Sequence, residues 1–550
     1  MKRPVRFLVG LTVALGIQSA AHAFCGFYAG KADASLFNQA SQVVLVRDGN
    51  RTVLSMQNDY QGPLSEFALI VPTPVSLKQG QVRIADTKVF ERLDEYSSPR
   101  LAEYFDNDPC QVDLRWGNRP DNYLRRMAMP AMAMAPAPNA AMANRAKELG
   151  VTVESSYTLE EYDIVTLSAT QSDGLETWLR ENGYSVPKGA SAALKPYINQ
   201  GMKFFVAKVN LDNQKKSGYV NLRPLQFAFE SDKFMLPMRL GMLNAPPDKA
   251  QDLIVYVLTQ KGRVESSNYR TVQLPANVNI PYFVKPKFQE FYKALFDKAA
   301  LDERNKVVFT EYFWNMGWCD PCAGQPLSHD ELRSAGVFWI DGNADDTFNV
   351  MTAAPGTTVK SAIKRAPFSR FGGEPVQLTR LHVRYTPATF PEDLMMSQTA
   401  DTQNWQTRYV IQNPVQGTPE ECDAKLAGMS CANLCKPRVD DVLNRPAAPE
   451  ESSLIRGKDP IALTRDCVSA CVSAKSSALE AALQYYQSDL PKRIAAEKTT
   501  LSRLTGWSMN DINAMPNAAQ YVSVSSNVAP RQAASDTWWQ RLFKPDTTSN

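Results

Sequence analysis

The sequence predicts an α+β fold: mostly antiparallel sheet with packed helices, then a helical, Cys-rich C-terminal extension. Three observations lead there. Short apolar runs bounded by Gly, Pro, Asn and Asp recur along the first 420 residues, as strands do. Between them lie segments with apolar residues at three- and four-residue spacing, the period of a helix face. Beyond about Glu420, cysteines fall four apart in helix-prone stretches, Cys431 with Cys435 and Cys467 with Cys471. The chain has 550 residues, 44% hydrophobic and 21% charged, ordinary globular composition with room for more than one domain. Its 60 basic and 57 acidic residues leave a net charge of +3, which gives no electrostatic argument for a nucleic-acid partner.

The first 23 residues read as a signal peptide. Lys2, Arg3 and Arg6 precede the apolar run Phe7 to Ile17, and Ala21-His22-Ala23 supplies small residues for cleavage. The run is shorter than the roughly 20 residues that a membrane-spanning helix needs. No later stretch is long and apolar enough either, so no transmembrane segment is expected after cleavage. A mature chain from Phe24, periplasmic or secreted, is therefore expected. Phe24 before Cys25 spoils a lipoprotein box. In an oxidising compartment the nine cysteines should mostly form disulfides, and an odd number leaves at least one thiol over.

The elements follow in order. Val43 to Val46 and Thr52 to Met56 flank Asp48-Gly49-Asn50, a hairpin signal. Phe67 to Val71 is a buried strand. Asp86 to Tyr104 reads as a helix that Pro99 kinks or splits. Residues 125–148 are an Ala/Met/Pro-rich insertion whose plain reading is a linker. Its Met127, Met129, Met132 and Met134 carry soft sulfur and form a weak Cu(I) option. Val151 to Glu154 and Tyr162 to Ser168 are strands, and Ser172 caps a helix to Asn182. Ala190 to Gln200 is a helix and Lys203 to Asn210 a strand. Leu225 to Phe229, Met235 to Leu243 and Leu253 to Leu258 continue the β pattern. Phe288 to Leu301 is an amphipathic helix and Val307 to Trp314 a strand. Ser328 with Glu331 forms a capping box.

Leu378 to Tyr385 alternates, with Leu378, Arg380, His382 and Arg384 on one face. That face is expected to be solvated, with anion binding as the sharper alternative. In the extension, two antiparallel helices would allow bridges Cys431 to Cys471 and Cys435 to Cys467, though diagonal pairings and Cys422 stay open. The expected organisation is signal peptide 1–23, α+β domain 24–417, helical Cys-rich region 418–510 and disordered tail 511–550. Within the tail, Trp538-Trp539-Gln540-Arg541-Leu542-Phe543 would dock on a partner, a membrane surface or the protein itself.

Six separated stretches carry a resemblance. They are Phe24-Cys25-Gly26-Phe27-Tyr28 with Lys31-Ala32-Asp33-Ala34, then Ser41–Met56, Ser172–Tyr184, Gly201–Asn210, Gly317–Cys322 and Leu378–Leu394. Together, over roughly Phe24 to Gly417, the chain resembles the bacterial exported proteins of domain-of-unknown-function family 2330. The resemblance implies a bacterial, signal-bearing protein and no activity.

One motif suggests chemistry. Trp318-Cys319-Asp320-Pro321-Cys322 is similar to the Trp-Cys-x-Pro-Cys of thioredoxin-like oxidoreductases, where Cys319 would attack and Cys322 resolve. Gly324 and Pro326 interrupt the helix that this chemistry needs at Cys319. The alternative is a structural bridge between Cys319 and Cys322, or of either with Cys25 or Cys110. Zinc would need four ligands and the motif offers two. Of the mature chain's histidines, His329 and His382, neither sits in a hydrolase motif, and Ser328-His329-Asp330 is contiguous rather than convergent. No cofactor motif is present. The reading favours a non-enzymatic, disulfide-held exported protein that binds a protein partner or the envelope. A periplasmic thiol–disulfide oxidoreductase is the alternative.

Overall fold

The computed structural model describes residues 27–29, 40–57, 68–112, 149–182, 184, 186–210, 212–213, 222–244, 250–318, 320, 324–341, 344–352, 374–444 and 459–518. The elements in chain order are β1 (Phe27–Ala29), β2 (Ala40–Asp48), β3 (Arg51–Gln57), β4 (Ala68–Thr73), β5 (Val82–Ile84), α1 (Thr87–Ser97) and β6 (Arg100–Phe105). Then come β7 (Val151–Leu159), β8 (Tyr162–Ala169), α2 (Ser172–Glu181), α3 (Ala190–Asn199), β9 (Lys203–Val209), β10 (Leu225–Glu230) and β11 (Met235–Leu236). β12 (Gln251–Thr259), β13 (Val264–Ser266), β14 (Arg270–Gln273), β15 (Val278–Asn279), α4 (Phe288–Asp302), β16 (Val307–Asn315), α5 (His329–Ala335) and α6 (Ala344–Thr352) follow. The chain continues through β17 (Gln377–Tyr385), β18 (Leu394–Gln398), β19 (Trp405–Gln406) and β20 (Arg408–Asn413). It closes with α7 (Pro419–Ala427), α8 (Cys431–Asn444), α9 (Pro460–Gln484), α10 (Leu490–Thr505) and α11 (Met509–Asn513).

Two sheets pack face to face. One has the order β1-β4-β9-β8-β7; the other runs β14-β16-β17-β12-β2-β3-β10-β5, with β19 beside β16. Most pairings are antiparallel, while β2–β12, β14–β16, β15–β20 and β6–β20 are parallel. Alternation sorts each strand between two cores. Val43 and Leu45 of β2 join Leu69, Val71 and Phe205 between the sheets. Val44 and Val46 face outward, where Phe90 and Leu93 of α1, Leu332 of α5 and Phe348 of α6 cover them. Ile70, Phe204 and Val206 meet Leu175, Trp178 and Leu194 of α2 and α3. The result is four layers, helix–sheet–sheet–helix, and both sheets are buried on both faces. That explains strands such as β12 that are buried along their whole length.

Local expectations meet four corrections. The helix from Asp86 stops at Ser97, because the residue before Pro99 is forced extended, with Ser98 at φ −66° and ψ 152°; β6 follows. Met235 to Leu243 is a strand only through Leu236. Pro237 cannot donate to a ladder, and a 3₁₀ turn follows at Gly241–Asn244. The N-cap of α2 is Gln171 rather than Ser172, whose hydroxyl accepts from Ser191 Oγ at 3.0 Å. Residues 511–518, expected in the tail, are ordered, and Ile512 and Ala518 share a core with Phe291, Leu295 and Tyr409. The hairpin at Gly49 forms as read, with Gly49 at φ +57°.

Candidate functional site

The densest chemistry in the molecule lies on the face of β17 expected to be solvated. That expectation is corrected here: Arg380 is 0% and His382 1% exposed. β17 runs between β12 and β16, with His382 opposite both Ile254 and Phe309. Its charged face turns inward, under α1 and α4, toward carboxylates that α1, α4, β12 and β16 deliver. The register of β16 on β17 shifts between Thr310 and Tyr312. Glu311 is the extra residue of this bulge and is aimed at Arg380 and His382.

Arg380 Nε donates to Glu311 Oε2 at 2.6 Å and Nη1 to Asp94 Oδ1 at 2.7 Å. His382 places Nδ1 2.7 Å from Glu311 Oε1 and Nε2 3.3 Å from Asp252 Oδ1. Arg384 grips Asp252 through Nε and Nη2, at 2.8 and 2.9 Å, and reaches Asp297 with Nη1 at 2.6 Å. The sequence of contacts is Asp94–Arg380–Glu311–His382–Asp252–Arg384–Asp297, four carboxylates alternating with three cations. Lys293 on Asp297 supplies a fourth cation at the surface. Phe296 of α4 stacks on the His382 ring, 3.7 Å between centroids, and lies under the Arg384 guanidinium at 4.8 Å. Tyr256 donates to Asp94 at 3.0 Å, and Tyr292 donates to Glu311.

The electrostatics follow from this alternation. Burial pushes the Glu311 carboxyl up, but His382 and Arg380 overcome it and hold it at about 2. Burial likewise opposes ionisation of Asp252, and Arg384 and His382 hold it at about 2. Burial pulls His382 down, and the two carboxylates more than offset it, so the imidazole titrates above its ordinary value. A carboxylate at each ring nitrogen favours the imidazolium form of His382, in which both nitrogens donate. The anion-binding alternative fails on the same geometry, because carboxylates of the chain itself already occupy Arg380 and Arg384.

Cys25, Cys319, Cys322, the Met127, Met129, Met132 and Met134 group and Trp538-Trp539 lie outside the described residues. Beside the motif cysteines, Trp318 is 59% exposed. Asp320 is buried, accepting from Tyr312 OH at 2.9 Å and Gln406 Nε2 at 3.2 Å. The helix after the motif starts only at His329, on the capping box formed by Ser328 and Glu331. Ser328 Oγ accepts from Glu331 N, and His329 engages Asp341 at 2.9 Å and Glu374 at 3.0 Å, so these two residues form no nucleophile–base pair.

Six cysteines close three bridges. Cys431–Cys471 and Cys435–Cys467 tie α8 to α9. Cys110 pairs with Cys422 rather than with a motif cysteine, and fixes α7 to the segment after β6. The two residues lie 312 positions apart, which no spacing pattern signals. Among the described residues no group of three His, Cys, Asp or Glu is arranged to hold a metal ion, and no helix is long and apolar enough to cross a membrane.

A family model described as "Uncharacterized protein conserved in bacteria (DUF2330)" matches residues 19–397. The chain belongs to DUF2330. The match takes in all seven members of the buried network, Asp94 through Arg384, so the charged chain lies within the DUF2330 part. Every bridge among the described residues, in contrast, uses at least one cysteine beyond residue 397. No curated protein and no solved structure matches.

Proposed function

We propose that this DUF2330 protein is an exported, disulfide-stabilised binding protein of the bacterial envelope, matured by cleavage before Phe24. The observation that carries the reading is the closure of six buried or near-buried cysteines into three bridges, a pattern of oxidising compartments. A partner-binding role for the extension is supported by α9. Ile461, Val472 and Leu483 are exposed and recur every 11 residues, about three helical turns, so all three fall on one face of α9. The test is expression of the full-length chain in a bacterium with a periplasm, followed by fractionation, mass measurement and thiol labelling. Release with the periplasmic fraction, an N-terminus at Phe24 and six cysteines unlabelled until reduction are expected. Retention of Met1 in the cytoplasmic fraction with Cys110, Cys431 and Cys435 freely labelled would sink the reading.

A second reading is supported by the surroundings of the Cys-x-x-Cys: an exposed Trp318 beside an anchored Asp320. It makes Cys319 and Cys322 a redox pair, as in thiol–disulfide oxidoreductases. Mass mapping under graded reduction separates the two. A Cys319–Cys322 bridge that opens before the other three supports redox exchange, and a pair that opens only on denaturation removes it.

A further inference from the structure

The opposite face of β16 from the ionic network floors a cleft of about 470 Å³, within the size range of small-molecule sites. β13, β14 and residues 401–405 form its walls. We infer that this cleft binds a neutral polyhydroxylated ligand, a mono- or disaccharide. The inference deepens the binding role proposed above by naming a ligand class, and its assay does not depend on where the protein resides.

The charge in the cleft excludes anions. Arg263, the one cation among the described lining residues, is locked between Asp401, with Nη1 to Oδ2 at 2.7 Å, and Glu265, with Nε to Oε1 at 3.1 Å. Two carboxylates against one guanidinium leave a net charge of −1, so a phosphate or carboxylate would meet repulsion and a spent arginine. The rest of the described lining is uncharged and, apart from Val272 and the Trp405 ring, polar. Gln273 and Gln403 each offer an amide with both donor and acceptor atoms, and Asn404 offers its N–H groups while its Oδ1 accepts from Asn315 N at 3.4 Å. Hydroxyl groups have the same dual character, so a polyol can satisfy amides and carboxylates together.

Two buried groups point to a ligand more directly. Thr310, on the floor, is 1% exposed, and its hydroxyl has no hydrogen-bond partner among the described residues. The buried indole N–H of Trp405 has none among them either. Pairing of Trp405 with Phe313 puts the indole on the same sheet face as Thr310. Orphaned buried polar atoms destabilise a fold, and valine at 310 would fill the same space without the cost. An indole also offers an apolar plate and one donor, the pairing that suits the C–H face and rim hydroxyls of a sugar ring.

The test uses the purified, disulfide-intact chain, with calorimetry and tryptophan fluorescence. The probes are glucose, N-acetylglucosamine and maltose, with glucose 6-phosphate and spermidine as charged contrasts. Saturable binding of at least one neutral sugar is expected, with Kd between about 10 µM and 1 mM. Thr310→Val is expected to weaken it about tenfold while raising the melting temperature of the free protein, a split that a purely structural threonine does not produce. Gln403→Ala, on the exposed loop, is expected to weaken binding with no change in melting, and it keeps the test decisive if Thr310→Val fails to fold. Absence of saturable sugar binding, binding only of spermidine or glucose 6-phosphate, or an affinity unmoved by both substitutions overturns the inference.

Discussion

Glu311 concentrates the electrostatics of the molecule at one residue. It accepts from Arg380, faces His382 and accepts from Tyr292, and it is 0% exposed. Breaking a buried ion network by removing one partner strands the remaining charges, so Glu311→Gln is expected to cost about 3–5 kcal/mol, read as a shift in urea midpoint. Glu311 and Asp252 titrate at about 2 when folded, against about 4.3 and 3.9 unfolded. Their contribution is present above pH 4 and lost as pH falls toward 2. His382 is raised, so its contribution is full below about pH 6.5 and lost as pH rises through its folded value. Glu311→Gln should therefore flatten the acid limb of a midpoint-against-pH curve between pH 2 and 5; an unchanged limb would place the acid sensitivity elsewhere. Little of this network was legible beforehand. The alternation of β17 was visible, but its direction was misread, because the neutralising carboxylates come from Asp94, Asp252, Asp297 and Glu311 on other elements. The bulge that aims Glu311 leaves no mark in the local residue pattern.

At the scale of elements, local rules were read more successfully where the interaction itself is local. Ser328 and Glu331 close the box that starts α5, with Ser328 N donating to Glu331 Oε2 at 2.7 Å. Glu331 also accepts from Arg92 Nε of α1 at 2.8 Å, so the cap doubles as a tie between two helices of the outer layer. Ser328→Ala is expected to cost about 1 kcal/mol, measured by thermal unfolding. The α8–α9 bridges were open to reading for a related reason: cysteines four apart share a helix face, and two such faces can meet twice. Cys435 and Cys467 lie 32 residues apart, and removing their bridge as a double serine variant should cost about 3 kcal/mol. Hydrogen exchange should then speed up in α8 and the first half of α9 while the sheets keep their protection. Uniform acceleration would show that the helical pair and the sheets open together. Cys110–Cys422 escaped because it joins segments with no shared periodicity, brought together by β6 pairing with β20.

For the whole molecule the question is how the C-terminal helices are joined to the layered body. They are held by more than disulfides. Leu501 and Leu504 of α10 share a core with Phe291 and Leu295 of α4. At the end of β6, Asp106 accepts from Arg493 Nη1 and Nη2 at 2.8 and 2.7 Å and also from Tyr485. One turn on from Arg493, Glu497 is 4% exposed and 3.7 Å from Arg493 Nε. Asp106 already draws on that guanidinium, so burial dominates, and the Glu497 carboxyl is pushed up to about 7 with Asp106 adding to the rise. An acid whose folded value lies above its unfolded value binds more protons when folded, so its ionisation weakens the fold as pH climbs from about 4.3 through 7. Glu497→Gln is expected to leave the melting temperature unchanged at pH 4 and raise it at pH 8. Equal shifts at both pH values would mean that the glutamine acts through packing and that Glu497 does not titrate at this junction. The same measurement on a Cys110→Ser, Cys422→Ser background should enlarge the pH 8 effect, because the Asp106 clasp then holds Tyr485 and α10 at the end of β6 without its covalent neighbour.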